Sequence, residues 1–103
     1  MVEQAISKVE VLALLREHKP ILAERFGVGA LALFGSTARD EARPDSDIDI
    51  DILVTLPRAR GWSGYGEALR YLEGLFGRPI DLVVETEIRG ELRPYIEADA
   101  VYV

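Results

Sequence analysis

Apolar residues recur at helical spacing early in the chain and later alternate with polar ones, and the change of period divides the sequence into elements. Ser7 can cap a helix over residues 8–17, with Val9, Leu12 and Leu15 or Arg16 on helical spacing. Pro20 interrupts or kinks this pattern, and a second short helix over residues 19–26 can open on it. Gly27 and Gly29 end the helical part, and residues 28–34 read as a buried strand. A helix of one to two turns is expected over residues 37–42, and a turn over 43–46. In residues 48–56, Ile48, Ile50, Ile52 and Val54 alternate with carboxylates, which marks a half-buried strand. Gly61, Gly64 and Gly66 make residues 57–66 read as a loop. The following helix, over residues 64–76, carries Tyr65, Leu69, Leu72 and Phe76 on one stripe. A third strand over residues 80–85, an amphipathic segment over 91–97 and a short edge strand in 100–103 complete the order. The expected fold class is α/β, of α+β type: a small mixed sheet of three to four strands packed by helices. Residues 1–103 read as a single domain.

The chemistry is concentrated in one stretch. Gly35-Ser36 follows the apolar run Ala30-Leu31-Ala32-Leu33-Phe34, and after ten residues comes Asp47-Ile48-Asp49. A strand that delivers a Gly-Ser to a helix start presents backbone N–H groups to a phosphate. Ser36 can equally serve as a plain helix cap, and the two roles are compatible. Two aspartates at i and i+2 on a strand share a face, roughly 7 Å apart, so both can reach one divalent cation. Asp45, Asp47, Asp49 and Asp51 fall within seven residues, and such crowding is costly without a cation. Asp81, between Ile80 and Leu82, reads either as a buried carboxylate needing a partner or metal, or as one polar residue exposed on an edge strand.

Composition narrows the picture. With 49% apolar residues the chain packs as a globule, and the absence of cysteine excludes disulfides and thiolate metal sites. No apolar run nears the roughly 18 residues that span a bilayer, and no basic-then-apolar leader is visible, so no membrane partner and a cytoplasmic location are expected. The net charge of −6, with its 12 basic residues dispersed, disfavours a nucleic-acid partner.

The motif resembles that of the minimal nucleotidyltransferases, the smallest members of the polymerase-β-like superfamily. It matches from Leu33-Phe34-Gly35-Ser36-Thr37-Ala38-Arg39 through Asp45-Ser46-Asp47-Ile48-Asp49-Ile50, with Asp81 as the expected later carboxylate. The resemblance implies that Asp47, Asp49 and Asp81 are catalytic and hold Mg2+, two ions per site. It implies that Gly35, Ser36 and Arg39 bind the nucleotide, with ATP as substrate. Arg39 has the alternative of a surface ion pair with Asp40, Glu41 or Asp45. Asp51, where relatives often carry an apolar residue, is expected to support the site or to be exposed. His18 is expected near a helix end. The family likeness further implies transfer of AMP to a hydroxyl, that of a tyrosine, on a co-encoded helical HEPN-type toxin, with this chain as its antitoxin. A binding-only antitoxin and a nucleotidyltransferase acting on a small molecule of aminoglycoside type are the alternatives. The glycine-rich segment with Trp62 and Tyr65 is the expected partner contact, unless both side chains pack inward.

Overall fold

The computed structural model describes residues 7–39, 50–56 and 61–103, with the side chains of all of these but Ser36, Gly61, Trp62 and Ser63. Helix α1 spans Lys8–Phe26 and starts as expected: Ser7 Oγ accepts the Glu10 N–H at 3.1 Å. It ends at Gly27, whose left-handed φ of 78° lets its N–H reach the Ala23 carbonyl at 3.1 Å. Between these caps the helix is continuous, and the expected break at Pro20 does not occur. Proline removes one helical N–H, but Pro20 and Arg16 lie on the exposed side, where water can satisfy the orphaned carbonyl. Leu22 and Phe26, beyond the proline, are buried and hold the last turns to the sheet. Val9, expected on the apolar stripe, is 76% exposed, and Val11 takes the buried position instead.

Strands β1 (Leu31–Phe34), β2 (Ile50–Val54), β3 (Ile80–Val84) and β4 (Val101–Tyr102) form one mixed sheet in the order β3-β2-β1-β4. β1 runs antiparallel to β2 and β4, and β2 runs parallel to β3. The parallel pair is joined by α3 (Gly61–Phe76), the crossover such a pair requires. Here the sequence reading placed a loop up to Gly66, yet Gly61, Gly64 and Gly66 are helical. Glycine weakens a helix by roughly 1 kcal/mol per residue. Tyr65, Ala68, Leu69 and Leu72 pack on the sheet from this helix, and that burial overrides the propensity.

The two faces of the sheet are covered unequally. Leu31, Leu33, Ile50, Ile52, Val54, Ile80 and Leu82 meet α1 and α3 in the main core. On the other face Ala32, Phe34 and Leu53 meet Ile96 and Ala100, which flank the end of α4 (Arg93–Asp99). The fold is thus a four-stranded mixed sheet with α1 and α3 behind it and α4 over part of its front. Among the described residues no helix is long and apolar enough to cross a membrane.

Candidate functional site

The front face carries two rows of register partners. Ala32, Leu53 and Val83 form an apolar row, and two residues along each strand, on the same face, lie Phe34, Asp51 and Asp81. Strand pairing alone therefore sets Asp51 and Asp81 side by side, roughly 4.8 Å apart at the backbone. α4 covers the β1 side of this face; Asp81, on the outermost strand β3, is exposed. The burial argument for a metal at Asp81 thus falls away, because its carboxylate already faces water on an edge strand. Its exposure leaves it open to a ligand instead.

At the head of the second row the chain turns. Gly35 has φ 74°, a conformation that costs an L side chain about 1–2 kcal/mol. It opens the short helix α2 (Gly35–Ala38), two residues earlier than the sequence suggested. Space as well as conformation demands glycine here: a Cβ at Gly35 would collide with the Asp51 carboxylate. Asp51, expected to support the site or to be exposed, is half-buried and lies against the Gly35 backbone. Thr37 and Ala38 are buried beneath and fix α2 to the sheet.

Arg39 follows α2, and its N–H bonds the Gly35 carbonyl at 3.1 Å. Its guanidinium pairs with Asp99 of α4 at 2.5 Å. The neighbours considered from the sequence, Asp40, Glu41 and Asp45, lie outside the described residues, as do Asp47 and Asp49. The structure thus sets Asp51 between the Gly35 turn and Asp81, while the Arg39 side chain reaches α4. Asp99 escaped the sequence reading because nothing local links it to the Gly-Ser motif.

Of two further side chains, one takes the inward alternative and the other departs from expectation. Tyr65 is no surface contact: it packs on the core and its hydroxyl donates to the Leu82 carbonyl at 2.8 Å. Burial pushes its pKa upward, and the charges of Asp81 and Glu73 add to the rise. The side chain of Trp62 lies outside those described. His18 lies within α1 and not at its end, and Nδ1 lies 2.5 Å from the Tyr71 hydroxyl, tying α1 to α3.

Among the described residues no three acidic, histidine or cysteine side chains converge as a metal site. The donor chemistry of the expected set nonetheless suits magnesium: carboxylate oxygens are ligands for hard cations. Asp81 presents one such group in the open, one strand over from Asp51, whose carboxylate fills the space beside the Gly35 backbone.

The nucleotidyltransferase domain family matches residues 15–103. Protein adenylyltransferase MntA of Thermococcus cleftensis is 37% identical over 94 residues, 91% of this chain and 93% of that protein. The solved structure of a candidate minimal nucleotidyltransferase superposes with a TM-score of 0.76 at 34% identity, covering 93% of this chain and 95% of that one. A crystal structure of a toxin–antitoxin with AMP-PNP shares the fold, with a TM-score of 0.58 at 22% identity over 94% of this chain and 72% of that one.

Proposed function

The chain belongs to the family of nucleotidyltransferase domains, and from that premise we propose that it is a protein adenylyltransferase, a single domain over residues 1–103 acting as antitoxin to a toxin partner. The observation that carries the reading is the row that sets Asp81 beside Asp51 at the end of the sheet where Gly35 turns into α2. The adenylyltransferase relative from Thermococcus cleftensis supports the reaction, and the toxin–antitoxin structure with AMP-PNP shares the fold.

In this reading Gly35 and Ser36 receive the phosphates of ATP through backbone N–H groups and the serine hydroxyl, and Arg39 offsets their charge. Asp47, Asp49 and Asp81 are the residues that would hold magnesium, two ions per site. When bound, such ions lower the pKa of the attacking hydroxyl and neutralise phosphate charge. The acceptor oxygen forms a bond to the α-phosphorus while the bond from that phosphorus to the bridging oxygen breaks. Pyrophosphate leaves, the hydroxyl proton passes to solvent, and AMP stays on the acceptor. The acceptor is a tyrosine hydroxyl on a co-encoded helical HEPN-type toxin. The net charge of −6 disfavours a polyanionic acceptor.

The test is to incubate the chain with ATP labelled at the α-phosphate, magnesium and the co-encoded partner. Label is expected on a tyrosine of the partner, and on nothing when Asp47 and Asp49 are both changed to Asn. Label on tRNA with the partner unmodified would overturn the reading. If the double variant still neutralises the partner, complex formation alone is the function.

A further inference from the structure

Asp99 occupies a place that local rules disfavour. It is the last residue of α4, where a carboxylate meets the negative end of the helix dipole. The compensation comes from far along the chain, since its Oδ2 accepts from Nη1 of Arg39, 60 residues away. A broken local rule at a residue that grips a candidate site residue is a mark of function.

The two ends of this ion pair differ in how firmly they are rooted. Asp99 sits between Ile96 and Ala100, both packed on the front face, and Val101 then enters the sheet opposite Leu33. Its side chain is 26% exposed. That of Arg39 is 46% exposed and extends from the end of α2. A half-exposed arginine has many rotamers to lose when a ligand orders it. Phosphate recognition by arginine runs through a planar fork of donors, so the orientation of that plane governs affinity. The Arg39 N–H is tied to the Gly35 carbonyl, and Asp99 takes hold of the far end of the residue, at Nη1.

We propose that Asp99 is a positioning residue for nucleotide binding: anchored by α4 and β4, it holds the Arg39 guanidinium oriented for the phosphates of a nucleoside triphosphate at the Gly35 turn. The proposal rests on the adenylyl-transfer reading and on Arg39 contacting the nucleotide.

Calorimetric titration of ATP in excess magnesium into the wild type, Asp99→Ala, Asp99→Glu, Arg39→Ala and the Arg39→Ala/Asp99→Ala double variant tests it. Asp99→Ala is expected to weaken binding between about two- and tenfold, the range for ordering one long side chain. Asp99→Glu restores most of the loss, and the double variant binds like Arg39→Ala alone. The melting temperature of Asp99→Ala stays near that of the wild type, because a half-exposed pair contributes little to stability. Unchanged or tighter binding by Asp99→Ala overturns the proposal, the tighter case showing a pair that restrains Arg39. So does a loss that persists in full without Arg39. Wild-type protein that binds no ATP overturns the adenylyl-transfer reading itself, and this proposal with it; a binding wild type beside an unaffected Asp99→Ala overturns this proposal alone.

Discussion

Gly35 is constrained twice, by a φ of 74° and by the Asp51 carboxylate occupying the space a methyl group would need. Gly35→Ala is therefore expected to destabilise the fold by about 2–3 kcal/mol, read from urea unfolding. Removing the obstruction tests the mechanism: in an Asp51→Ala background the same change should cost less, leaving mainly the backbone strain. Asp81 is the contrasting case. It is exposed, so Asp81→Asn should leave stability within about 0.5 kcal/mol of the wild type while adenylyl transfer falls to background. An unfolded Asp81→Asn variant would show that the residue serves the fold, and a fully active one that it plays no part in transfer. The alternation of apolar and acidic residues made the Asp51 strand legible. The register that pairs Asp51 with Asp81 was not, because it depends on how two distant segments align.

At the scale of elements, the sequence located each strand and each α-helix among the described residues with shifted ends, splitting α1 at Pro20, and it failed where propensity and packing disagreed. Pro20 and Gly61, Gly64 and Gly66 of α3 are local breakers, but the elements containing them each bury a face against the sheet. The Arg39–Asp99 pair was illegible for a related reason: its partners meet only once α4 has crossed the front of the sheet. α3 also closes the outer edge of β3 through the Tyr65 hydroxyl on the Leu82 carbonyl. The pKa of Tyr65 is raised in the fold, so its contribution to stability is complete below its ordinary value of 10.0 and is lost as pH rises above it. Denaturant midpoints should fall from pH 9.5 to pH 11 more steeply in the wild type than in Tyr65→Phe, roughly the span of the titration. Equal slopes would mean that Tyr65 does not titrate differently in the folded state.

For the whole molecule, ligand binding and folding share one equilibrium. ATP with magnesium at about 100 times its dissociation constant should add roughly 2.7 kcal/mol of stability and raise the melting temperature by about 10 °C or more in a domain of this size. No rise with any pairing of divalent cation and nucleotide would remove the basis for the site. Stability is also unevenly distributed. α1 sinks five residues into the core, whereas α4 has no fully buried residue and β4 contributes two residues to the sheet. Segments with so little burial open without the rest of the fold. Amide hydrogens of α4 and β4 will therefore exchange with solvent deuterium ahead of those in β2, and each opening frees Arg39 from Asp99. On the proposal that Asp99 orients Arg39, the aim of the arginine varies with how often the last part of the chain is docked, and a partner that clamps α4 in place should tighten the grip on nucleotide without touching it.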